Sequence, residues 1–145
     1  MEYNHIIATV NDYGLEMTAK MISILKTQNS KNLVNKIDQK IIKDMDAIAL
    51  EIRMPSYGYY ASEGRAAGKF PPLDSIRDWM EARNIDMVAL YPIARKIASL
   101  GTKANAKHFL NEFKITSEFE KDLLDAFNAD VQEALKDYVE KINAE

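Results

Sequence analysis

The C-terminal fifth of the chain constrains the fold more than any other stretch. Phe119, Leu123, Phe127, Val131, Leu135 (with Ala134), Tyr138 and Ile142 recur at steps of three and four, the spacing that lines one face of an α-helix. Ser117, with Glu120 three residues on, makes a capping box at its start. The spacing predicts a helix over residues 117–143. Such a helix is long for the core of a 145-residue chain, because helices in globular proteins average about 11–12 residues. Part of its apolar stripe is therefore expected to pack on a neighbouring subunit, the alternative being that the helix simply wraps around the sheet.

Upstream, the periodicity changes twice. Val10, Gly14, Met17, Met21 and Ile24, with Leu25 beside them, predict a helix over 9–27 that Asn11 or Asp12 caps and Gln28-Asn29-Ser30 breaks. Ile48, Leu50, Ile52 and Met54 then alternate with Ala49, Glu51 and Arg53, the two-residue period of a half-buried strand. With 36–43 as partner and Asp44-Met45-Asp46 as the turn, a hairpin is expected over 36–54, ended by Pro55. Residues 57–72 hold three of the five glycines and two of the four prolines and read as a shaped loop. A helix over 74–83 follows, capped by Asp74 and lined by Ile76, Trp79 and Met80. A helix over 92–100 starts at Pro92, is lined by Ile93, Ile97 and Leu100, and stops at Gly101. The expected fold is α+β, with a small antiparallel sheet packed by about four helices. Residues 1–145 are taken as a single domain, the usual size for one core.

Composition removes several kinds of function. The chain has no cysteine, which excludes disulfides and thiolate metal sites. Its N-terminus lacks the basic-then-apolar pattern of a signal peptide, and no segment approaches the roughly 20 apolar residues of a membrane helix; a soluble protein is expected. Net charge is only −3 but unevenly placed. Residues 18–43 carry six lysines against Asp38, and residues 117–145 carry nine acids against three lysines. These are either two solvated faces or complementary ends of neighbouring subunits.

Catalytic patterns are absent from the sequence. His5 and His108 stand far apart, with no second histidine or carboxylate at metal-ligand spacing on a predicted helix. Neither a nucleophile elbow nor a phosphate-binding glycine loop is present. Glu63, Asp74 and Asp78 are the conceivable paired carboxylates, but a cap and an exposed helix face account for the last two. No catalytic, cofactor or metal residue is assigned. Tyr57, Tyr59 and Tyr60 beside Arg53, Arg65 and Lys69 have either the makings of a base-stacking platform or the tyrosine–arginine mixture of a protein interface.

One ordered block brings a family into view. Tyr57-Gly58-Tyr59-Tyr60-Ala61-Ser62-Glu63-Gly64-Arg65 is followed by Gly68-Lys69-Phe70-Pro71-Pro72, then Ile76 and Trp79, then Pro92-Ile93-Ala94-Arg95-Lys96-Ile97 and Gly101-Thr102. The order and spacing resemble the virion-morphogenesis family of tailed bacteriophages, small neck or tail-completion proteins of the head–tail connector region, over about residues 31–110. In that family a Tyr-x-x-Tyr strand runs into a Gly-Arg turn, and two helices follow. The resemblance implies a non-enzymatic virion subunit, assembled in the host cytoplasm as a ring with copies of itself. Its neighbours would be portal, connector and tail proteins, with DNA only as cargo in the channel and no membrane. The interface candidates are Tyr57, Tyr59, Tyr60, Glu63, Arg65 and Lys69 of the loop, with Phe127, Val131 and Tyr138 of the long helix. The rival is a small regulatory or nucleic-acid-binding module.

Overall fold

A computed structural model describes residues 1–27, 31–103 and 108–144; the expected break at Gln28-Asn29-Ser30 lies outside the described residues. The elements run α1 (Asn4–Thr27), α2 (Lys31–Val34), β1 (Asp38–Lys43), β2 (Ile48–Arg53), α3 (Tyr57–Glu63), α4 (Leu73–Glu81), α5 (Leu90–Leu100) and α6 (Ser117–Ala144), with 3-10 turns at Met87–Ala89 and Phe109–Glu112. This is the α+β class read from the sequence, with one two-stranded antiparallel sheet and a long C-terminal helix. Among the described residues, no helix is long and apolar enough to cross a membrane. The chain forms two compact units, each made of separate stretches of the sequence. One comprises Met1–Met17, Gln39–Glu51 and Lys114–Glu145, the other Thr18–Asp38 and Ile52–Phe113.

The first unit is built from the start of α1, the hairpin and α6. Its hairpin closes through the Asp44 amide donating to the Ala47 carbonyl at 2.9 Å, and the Asp44 carboxylate accepts from the Met45 amide at 2.7 Å. Gly14 is buried on α1 because a Cβ there would lie 2.7 Å from Leu50 Cδ1. The missing side chain lets strand and helix meet. Tyr13 stacks on Phe119 with ring centroids 4.0 Å apart, and its hydroxyl donates to the Lys114 carbonyl.

Two ends in this unit differ from expectation. α1 begins five residues earlier than the predicted residue 9, and Asn11 and Asp12 lie inside it. Its first amides find an acceptor on Asp130, a residue that local sequence gives no reason to consider. α6 starts at Ser117, so the cap is the preceding Thr116, whose hydroxyl accepts from the Phe119 amide at 3.1 Å.

The predicted α6 stripe also splits. Phe119, Leu123, Ala126, Asp130 and Ala134 are half-buried or buried, whereas Leu124, Phe127, Leu135, Tyr138, Val139 and Ile142 are exposed. From Leu135 to Ala144 every residue is exposed. At about 1.5 Å per residue, that is roughly 15 Å of helix on which every described residue is exposed.

The second unit holds two apolar clusters. Met21, Leu25, Leu33, Tyr57 and Phe109 form one, and Ile76, Met80, Leu90 and Ala94 the other, with Trp79 packed against both. The apolar lining of Ile76, Trp79 and Met80 expected for this helix agrees with this. Fully burying a side chain such as Phe109 is worth about 2–3 kcal/mol.

The expected 57–72 loop, and the Tyr-x-x-Tyr strand implied by resemblance, need correcting: residues 57–63 are helix α3. Seven residues are too few to hold a helix alone. Tertiary burial of Tyr57, Gly58 and Ser62 supplies what local propensity does not. Asp74 is not the cap of α4 either. Pro72 takes that position, and Asp74 pairs instead with Arg77 at 2.9 Å. Pro92 lies in the first turn of α5 but two residues after its start, and Leu100 is 71% exposed rather than part of the lining.

Candidate functional site

The motif block folds back on itself through two glycines. Gly64 ends α3 at φ 73° and Gly101 ends α5 at φ 69°, the region that side chains with a Cβ disfavour. Immediately after them, the Arg65 amide donates to the Thr102 carbonyl and the Thr102 amide to the Arg65 carbonyl, both at 2.8 Å. A Cβ on Gly101 would strike the Arg65 carbonyl oxygen. The Gly68 amide adds a bond to the Ala98 carbonyl at 2.8 Å, satisfying an acceptor in the last turn of α5. Gly64-Arg65 and Gly101-Thr102, 37 residues apart in sequence, are thus one piece of structure.

That clamp frames a cavity of about 280 Å³. Ile76, Ile93, Ile97, Pro71 and Trp79 give it apolar walls, and Arg65, Arg83 and Lys103 are the cationic residues among its lining. The Arg65 guanidinium lies 4.9 Å over the Tyr60 ring and that of Arg83 lies 4.6 Å over Trp79, both within cation–π range. Arg65 also donates from Nη2 to the Phe70 carbonyl at 3.2 Å. Two of the lining residues, Tyr57 and Arg65, each carry a buried polar atom without a partner among the described residues, the Tyr57 hydroxyl and Arg65 Nε. Burial pushes the Tyr57 phenol up; nearby Arg83 opposes the shift and Asp78 adds to it.

The nine interface candidates separate in space and character. Tyr57 is 8% exposed, so it is a core and cavity residue and not a contact on a free surface. Tyr59 is exposed and packs edge-on to the half-buried Tyr60, with centroids 5.6 Å apart. Lys69 is exposed and Arg65 half-buried. Glu63 accepts from the buried Ser62 hydroxyl at 2.9 Å and sits 3.0 Å from His108 Nδ1. The Ser62 hydrogen bond, followed by that of His108, lowers the Glu63 pKa against a smaller opposing effect of burial. On α6, in the other unit, Phe127 and Tyr138 are exposed and Val131 is half-buried.

Ser62, Glu63 and His108 do not form a nucleophilic triad. The carboxylate stands between serine and histidine, whereas a triad needs the histidine in the middle. The serine hydroxyl is fully buried and also accepts from the Leu110 amide at 3.3 Å.

His5 likewise gains carboxylates that sequence spacing hid. Its Nδ1 lies 2.9 Å from Asp130 Oδ1 and 3.7 Å from Glu133 Oε2, the one group among the described residues with ligand atoms close enough to hold a metal ion. Both Asp130 oxygens are already engaged, Oδ1 by the His5 amide at 2.9 Å and Oδ2 by the Ile6 amide at 3.0 Å. A negative charge at the N-terminal amides of α1 is a structural anchor. Burial opposes the ionised form of Asp130, yet these amides and the His5 ring outweigh it and hold the pKa below the ordinary carboxylate value.

The chain matches no family model, no curated protein and no solved structure. Sequence reading missed the cavity because its cationic lining comes from Arg65, Arg83 and Lys103, on three separate segments. The ordered motif was the only signal pointing there.

Proposed function

We propose that this chain is a structural subunit of a tailed-phage virion, a neck or tail-completion protein that works by assembly and not by catalysis. The observation that carries assembly is the outer face of α6. Leu135, Tyr138, Val139 and Ile142 are each more than half exposed on its last turns, and a contiguous apolar strip of this kind marks an interaction surface. Its acidic residues keep the free subunit dispersed and favour a basic neighbour. The choice of virion rests on the ordered motif from Tyr57 to Thr102 alone.

In this reading copies associate head to tail and close into a ring, joining the portal-connector region to the tail and leaving a channel for DNA. Heterologous contacts close into rings when the rotation between neighbours does. An acid-lined channel would let DNA pass, since phosphate binding needs cations.

The test is the mass of the purified protein together with imaging and proteomics of the particles that carry it. Copies found in particles at the neck or tail, and lost from them in Leu135→Glu/Ile142→Glu with folding retained, are the expected result. A protein absent from particles refutes the virion role, and one that assembles elsewhere refutes only that location.

A further inference from the structure

The geometry points to a binding site in the second unit for a small amphipathic anion, a carboxylate carrying an aromatic or branched apolar group. The inference does not depend on the virion reading. Three observations converge. The cavity, about 280 Å³ with mainly apolar walls, is of the order of size that takes a small organic molecule. Among the described residues no aspartate or glutamate lines it, while Arg65, Arg83 and Lys103 do. The third observation is the pair of unpartnered buried atoms, the Tyr57 hydroxyl and Arg65 Nε. Tyr57 is 8% exposed, so its hydroxyl is denied ordinary solvation, and a buried polar group without a partner is costly unless something else fills the role.

Arg65 Nε can only donate and the Tyr57 hydroxyl also has a proton to donate, so an acceptor is the one partner that serves both. Asp78 stands close enough to act on Tyr57, but the described residues lining the cavity include three cations and no acid, and this surplus of positive charge selects an acceptor with negative charge. Burial raises the tyrosine's pKa, which keeps its proton in place as a donor. The aromatic shelves under Arg65 and Arg83 fix both guanidiniums without neutralising them. A carboxylate meeting these donors while its apolar group lies on Ile76, Ile93 and Ile97 satisfies each feature at once.

Trp79 lines the cavity and is the chain's single tryptophan, so its fluorescence reports occupancy. The full chain is titrated with 4-phenylbutyrate and, separately, with neutral 4-phenylbutanamide, by fluorescence and by calorimetry. Saturable binding of the carboxylate is expected, with the amide about 10-fold weaker or worse, as loss of a charge-assisted hydrogen bond predicts. Tyr57→Phe removes only the hydroxyl, and Arg83→Gln removes the charge of an exposed side chain; each should weaken the carboxylate about 10-fold. Equal binding of acid and amide, unchanged affinity in both variants, or no saturation by either probe overturns the proposal. Saturation by an acidic peptide with the small carboxylate inert also overturns it, in favour of a protein partner.

Discussion

Two histidine–carboxylate pairs, one in each unit, have nearly the same geometry and opposite consequences. His5 Nδ1 lies 2.9 Å from Asp130 and His108 Nδ1 lies 3.0 Å from Glu63. Asp130 is 1% exposed and takes the first amides of α1, whereas the Glu63 side chain keeps a third of its surface in water. Contact distance therefore says little about the worth of a charge pair. What decides is how many buried donors would lose their acceptor along with it. A surface pair is screened by solvent and contributes little; a buried carboxylate bonded to backbone amides is costly to remove.

The largest expected effect tests that distinction directly. Asp130→Ala should cost about 2–3 kcal/mol, since it strands the His5 and Ile6 amides at a partly buried helix start. Urea unfolding of the variant against the parent measures it. A loss no larger than that of an ordinary surface substitution would break the comparison.

Acidification should produce the next largest effect. The folded pKa of Asp130 is depressed, so its contribution is whole above the ordinary carboxylate pKa of about 3.9 and disappears as pH falls through the lower folded value. The parent should lose more stability between neutral pH and pH ~3 than Asp130→Asn does, read as the shift of each urea midpoint. Parallel losses would remove Asp130 from the account.

The smallest effect belongs to the other pair. Glu63→Gln and His108→Ala should each leave the unfolding midpoint within measurement scatter. The depressed pKa of Glu63 has the same sign of pH dependence, but solvent screening dilutes it. A large loss in Glu63→Gln alone would reveal a further role, with the Ser62 hydroxyl as the first place to look.

Much of the fold was legible because the signals are local. The alternation from Ile48 to Met54 is a property of neighbouring residues, as is the three-and-four spacing of α6, and β2 and α6 stand where those patterns place them. Gly101 was readable as a stop because few other residues accept its backbone angle. Residues 57–63 were not legible: glycine and clustered tyrosines look like a loop until Tyr57 and Ser62 find a core to enter. Trp79 and the three tyrosines pointed to the right part of the chain, while Arg83 and Lys103 carried no pattern that would join them to Arg65.

By itself, then, the sequence determined the periods, the stops and the surplus length of its last helix, all of which follow from backbone geometry over a few residues. Only the tertiary structure decided where α1 begins, which carboxylates the two histidines meet, and that Tyr57 lines a cavity as an orphaned donor. The reason is distance along the chain: Asp130 is 125 residues from His5, and no local rule links groups that burial alone brings together.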